Sequence, residues 1–188
     1  MAKVGRPRKS NVKRTKSGRA SRAGAVPANM EAILTRMRIF GLSEQDARDQ
    51  KAATFVGRMN LMDKKALISD AQYDAAIAYL DLRDKYLRAI GAPDASKQSG
   101  GATAGMSTEQ HSTWCATQKA KYDAAIDAVR NEQGLHENRG ANMYAALDYI
   151  VVRDEQHWHM VGDARLALNA LAHHFGLMGK QKRQQLAA

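Results

Sequence analysis

After Pro27 the chain meets only one further proline, Pro93, and its β-branched residues never run together for more than a short stretch. Proline obstructs a helix because it lacks an amide proton and its ring collides with the preceding turn. A long, alanine-rich stretch almost free of it therefore leaves helix as the least hindered conformation. A sheet has little raw material here. The expected fold class is all-α: a disordered basic N-terminal arm followed by a multi-helix body, with room for a helix-turn-helix. Boundaries read from composition give an arm at 1–26, an N-terminal helical unit at 27–90, a flexible linker at 91–106, a C-terminal helical unit at 107–178 and a polar tail at 179–188.

Start and stop signals set out the helices. Met30, Ile33, Leu34, Met37 and Phe40 share one face of a first helix that Gly41 ends. Ser43 is placed to cap a second, whose apolar stripe is Ala52, Phe55, Val56, Met59 and Met62. Ser69 with Gln72 makes a capping box for a third, running to Ile90 before Gly91 and Pro93. Two stripes divide it, Tyr73/Ile77/Leu80/Leu87 and Tyr79/Leu82/Tyr86/Ile90, so it needs two neighbours. From Gly91 to Met106 the chain turns to small residues that pack little, as a linker does. Ser107 with Gln110 caps a fourth helix through Trp114, Tyr122, Ile126 and Val129 to Gly134. A fifth is predicted over about 141–154, with Met143, Leu147 and Ile150 inward. The last carries Ala164, Leu168, Leu171 and Phe175, then Gly176 and Leu177 in position to close a Schellman turn. Tyr73–Ile77 and Tyr122–Ile126 spell the same five residues, a match too short to establish duplication.

Charge is distributed unevenly. Nine of the 29 basic residues, Lys3, Arg6, Arg8, Lys9, Lys13, Arg14, Lys16, Arg19 and Arg22, lie within the first 25 positions, where there is no acid. That leaves 20 basic against 19 acidic residues beyond them, a net of +1. A segment with such charge and so little to bury stays disordered until a polyanion is present, which makes nucleic acid the first partner and these nine side chains the candidate binding residues. Within the arm, Gly5-Arg6-Pro7-Arg8-Lys9 resembles the core of the AT-hook, whose Gly-Arg-Pro lies in an A·T-rich minor groove. Glycine permits close approach, proline holds the chain extended, and arginine meets the negative potential of a narrow groove. Val4 stands where that motif places another arginine, and Gly18-Arg19 forms a second Gly-Arg pair without proline.

Ile33 to Arg48 offer the order and turn length of a helix-turn-helix, with Gly41-Leu42-Ser43 as the turn. Met37 is large for the crossing point, and Glu44, Asp46 and Asp49 set acids on the face that would meet phosphate. A second pairing, over about 141–175, has Arg153, Arg165, His173 and His174 available. No catalytic residue and no cofactor are expected, because no phosphate-cradling glycine loop, nucleophile elbow or supported nucleophile–base set is present. His136-Glu137-Asn138 matches a nuclease fragment without the strands that would position it. His111 and Cys115 at i,i+4, and the later His157, His159, His173 and His174, lack the paired cysteines of a structural zinc site, so no metal is expected. With Cys115 the only cysteine, no disulfide forms within the chain.

The stretch from Ser69 to Tyr79, preceded by Gly57-Arg58-Met59-Asn60-Leu61, and the closing Arg165 to Leu177 resemble segments of small helical proteins of tailed phages and prophages. The Gly-Arg-Pro-Arg-Lys start resembles the N-termini of phage terminase small subunits. That resemblance implies a non-enzymatic DNA-binding component of genome packaging, a homo-oligomeric ring, and a large terminase subunit as further partner. A transcriptional regulator and a virion-associated structural protein with a nucleic-acid-binding arm are the competing readings. Double-stranded DNA is the expected ligand, with RNA the alternative polyanion. No stretch has the length of an apolar membrane span, so no membrane partner is expected, and the lone cysteine fits the reducing cytoplasm of a bacterial host, or the virion.

Overall fold

In a computed structural model of the chain, the described residues are 14, 16, 17, 19, 28–62, 67–91, 106–136 and 140–178. Every regular element among them is helical, so the fold is all-α. Two compact units result, Met1–Ala47 and Arg48–Ala188.

In the first, α1 (Ala28–Phe40) ends where Gly41 takes a left-handed φ of 66° and donates its N–H to the Met37 carbonyl at 2.9 Å. Ser43 then starts α2 (Glu44–Arg48): its hydroxyl accepts the Asp46 N–H at 3.1 Å and its carbonyl the Ala47 N–H at 2.9 Å. Arg36 donates to the Ala47 carbonyl at 3.0 Å, which ties α1 to the last turn of α2.

The helix expected from Ser43 through Met62 is broken in three. After α2 come a 3-10 helix, Gln50–Ala53, and α3 (Phe55–Leu61). Two polar side chains cause the break by bonding to local backbone in place of the helical ladder. Asp49 accepts the Lys51 N–H and Thr54 accepts the Gly57 N–H, each capping a new start. The fold at this point is so close that a Cβ on Gly57 would lie 1.9 Å from the Lys51 carbonyl oxygen. The apolar stripe survives the break, with Ala52, Phe55, Val56 and Met59 all buried.

Both capping boxes form, Ser69 with Gln72 at the head of α4 (Asp70–Ala89) and Ser107 with Gln110 at the head of α5 (Thr108–Leu135). Gly91 follows α4 with a φ of 72°. Gln72 also reaches α7, donating to the Arg165 carbonyl at 3.2 Å and to Asn169 Oδ1 at 2.9 Å. The predicted fifth helix begins as α6 (Met143–Ala146), capped by Asn142, and continues as a π-helical turn over Leu147–Val152. A loop containing Asp154, in a left-handed conformation with φ of 56°, leads to a 3-10 helix, Trp158–Met160, and into α7 (Val161–His174). The Asp154 carboxylate reaches back to accept the Phe55 N–H at 2.5 Å, capping α3 from 99 residues away. The Schellman turn closes as its spacing predicts, with Gly176 N–H bonded to the His173 carbonyl at 3.0 Å and Leu177 N–H to the Ala172 carbonyl at 2.8 Å.

Helices α4, α5 and α7 pack against one another, with α3 and the π-helical turn closing over α4. One core results, whose fully buried side chains include Phe55, Met59, Ile68, Val129, Met143, Leu147, Ile150, Leu168 and Leu171. Both stretches expected as helical units, 27–90 and 107–178, supply this same core, which the sequence alone leaves open. Of the expected linker, 92–105 lie outside the described residues, as do 179–188 of the expected polar tail. The α4 stripes hold in part: Tyr79 and Leu82 are buried, Tyr73 and Leu80 pack against the core, and α5 and α7 are the two main neighbours. The buried face of α4 is Ala71, Gln72, Ala75, Ala76, Tyr79 and Leu82, while Ile77 and Ile90 are 44% and 49% exposed. Between α4 and α5, Tyr122 stacks on Tyr86 at 4.2 Å between ring centroids and on Tyr79 at 6.2 Å. Burial, reinforced by the hydrogen bond with Tyr122, pushes the Tyr79 hydroxyl well above its ordinary pKa of 10.0.

Candidate nucleic-acid interface

Of the nine arm cations, Arg14, Lys16 and Arg19 are described, and all three are exposed. Lys3, Arg6, Arg8, Lys9, Lys13 and Arg22 lie outside the described residues, together with the AT-hook-like core from Gly5 to Lys9.

The body holds many of its cations beside carboxylates. Lys51 contacts Asp70 at 3.5 Å and Asn60 Oδ1 at 2.8 Å, Lys85 pairs with Asp81 at 2.5 Å, Arg153 with Asp148 at 2.6 Å, and Arg130 with Asp127. Lys51 also lies over the Tyr73 ring and Arg153 over the Tyr149 ring, each 4.7 Å from the centroid. Arg58 is buried and donates to the Ala52 and Ala53 carbonyls. Such pairs are locally neutral, so they add little to a field that would draw a polyanion.

The Ile33–Arg48 pair lacks the shape of a groove reader. Its second helix is five residues long, about 7.5 Å at the α-helical rise, too short to lie along a major groove. Its acids have structural roles: the Asp46 carboxylate accepts a hydrogen bond from the Ser43 hydroxyl at 2.6 Å, and Asp49 caps the 3-10 helix. In the 141–175 pair, Arg153, Arg165, His173 and His174 are exposed, but Arg153 is already paired with Asp148.

The histidines make no metal-ligand cluster among the described residues. His157 bonds Glu155 at 2.9 Å and packs edge-on against His159 and Tyr149; His111 lies 3.7 Å from the Cys115 sulfur; His136 contacts Glu132 at 3.2 Å. Glu137 and Asn138 of the nuclease-like tripeptide fall outside the described residues.

One feature escapes a reading of the sequence alone. A cavity of about 320 Å³ opens between α4, α5 and the end of α7, lined among others by Asp81, Lys85, Gln118, Lys121, His174 and Phe175. Three elements contribute to it, so no single spacing announces it; a glutamine on the inward turn of α5 is the one local sign. No family model, curated protein or solved structure matches the chain.

Proposed function

We propose that the chain is a non-enzymatic DNA-binding protein of a tailed phage or prophage, most concretely a genome-packaging component like a terminase small subunit. In this reading the arm holds double-stranded DNA, the helical body assembles with copies of itself, and a large terminase subunit is the further partner. The observation that carries it is the charge division: nine cations and no acid in the first 25 residues, against a body of net +1. Ion pairing within the body supports the same division. The five-residue second helix weighs against base reading by the helix-turn-helix, and so against the transcriptional regulator.

The test is a gel-shift salt series on the full chain and on a variant lacking residues 1–25. Deletion removes most of the affinity for duplex DNA while the helical circular-dichroism signal of the body persists. If about five arm cations displace counterions, log affinity falls with log salt at a slope near about −4.5. Unchanged affinity after deletion, or a flat salt response, overturns the reading. A preference for RNA of equal length transfers it to the alternative polyanion, and a monomer by mass photometry removes the ring.

A further inference from the structure

Gln118 lines the cavity between α4, α5 and α7, and its amide reaches solvent there. Gln118 is 8% exposed, yet its side-chain amide engages no group among the described residues. That amide is open to a partner from solvent, whereas the other inward glutamine, Gln72, meets protein partners on both sides of its amide. Around Gln118 the lining divides by chemistry. Ala78, Leu82 and Phe175 form an apolar floor, and the His174 and Phe175 rings meet edge-to-face at 5.1 Å between centroids. Lys85 and Lys121 supply positive charge at the rim. Lys85 is paired with Asp81, whereas Lys121 is exposed and has no ion pair among the described residues. The two lysines and one aspartate leave one positive charge in excess.

An amide that both donates and accepts, an aromatic wall and a net positive rim match a planar heterocycle carrying a phosphate. The volume of about 320 Å³ lies within the range of small-ligand sites. We propose that this cavity is a nucleotide site: the base packs on Phe175 and His174 with its polar edge against Gln118, and the phosphate lies at Lys121 and Lys85. A glutamine amide suits a base edge because it presents a donor and an acceptor side by side. The site is independent of the basic arm and goes beyond the DNA-binding reading.

The probes are AMP, inorganic phosphate and a short single-stranded oligonucleotide, titrated calorimetrically into the full-length protein and into Gln118→Leu and Lys121→Ala. AMP is expected to bind once per chain and to weaken by about tenfold in each variant, the loss of one hydrogen bond to a polar or charged partner. Gln118→Leu removes no hydrogen bond within the fold and Lys121→Ala alters an exposed side chain, so both should melt near the parent and report on folded protein. Oligonucleotide affinity that falls with AMP affinity in the variants supports a nucleotide within a strand. Oligonucleotide affinity that stays constant while AMP affinity falls supports a free nucleotide. The proposal is overturned if AMP fails to saturate a site, if both variants bind AMP like the parent, or if inorganic phosphate binds as tightly as AMP.

Discussion

At Gly57 a single hydrogen atom decides whether the chain can turn from the 3-10 helix into α3. A methyl group there would meet the Lys51 carbonyl oxygen at 1.9 Å and the carbonyl carbon at 2.6 Å, and both are backbone atoms that no rotamer change can move aside. Glycine to alanine within a helix ordinarily stabilises, by up to about 1 kcal/mol. Here the sign should reverse: Gly57→Ala is expected to lower unfolding free energy by about 1–3 kcal/mol, as overpacking does, with urea denaturation as the measurement. An unchanged or raised midpoint would show that the Lys51 peptide yields freely. Gln72 presents the complementary case. Its capping role is legible three residues after Ser69, but its bonds to Arg165 and Asn169 are not, since nothing local in the sequence shows which helix will lie opposite.

Between elements, the tyrosine stack joining α4 to α5 makes stability depend on alkaline pH. The Tyr79 hydroxyl is held above its ordinary pKa of 10.0 chiefly by burial, then by its bond with Tyr122 and the nearby Asp148 carboxylate, with Arg83 opposing. A folded-state pKa above the unfolded value means the folded form keeps its proton longer. The contribution is complete below pH 10.0 and is lost as pH rises beyond it. Melting temperature should therefore decline above that pH, and Tyr79→Phe should flatten the decline; parallel declines in the two proteins would assign the effect elsewhere. What a sequence reveals at this scale is what is local. The boxes Ser69/Gln72 and Ser107/Gln110 and the Gly176-Leu177 turn each involve residues within one or two turns, and each forms as its spacing predicts. The break at Asp49–Thr54 is less legible, because an unbroken apolar periodicity runs across it while two side chains redirect the backbone. The inward face of α4 was misleading for a different reason: large apolar residues suggest burial, but close helix packing uses the small Ala71, Ala75 and Ala76 and leaves Ile77 outside. The pentapeptide shared by α4 and α5 shows how far context decides, since Ala75 and Ala76 are both buried whereas Ala124 is exposed and Ala125 buried.

For the whole molecule, one core runs from Phe55 to Ala172. A fragment of residues 48–188 is expected to unfold in a single transition, with far-ultraviolet circular dichroism and the fluorescence of Trp114 and Trp158 changing together. Two separated transitions would show independent halves on either side of 91–106. The candidate arm was legible as charge, which needs no three-dimensional information; the cavity was not, because it exists only once α4, α5 and α7 meet. The π-helical turn carries its own consequence. Its Arg153 N–H reaches the Asp148 carbonyl five residues back, at 2.9 Å, where an α-helix reaches four. The turn thus stores one residue of slack between the core face at Ile150 and Asp154, whose carboxylate must land on Phe55. Descendants of this chain can shed one position there and close an ordinary turn with both ends in place. A deletion in the middle of α4 or α7 would instead rotate every later side chain by about 100°. Length variation among related chains should gather at Leu147–Val152 and spare those two helices.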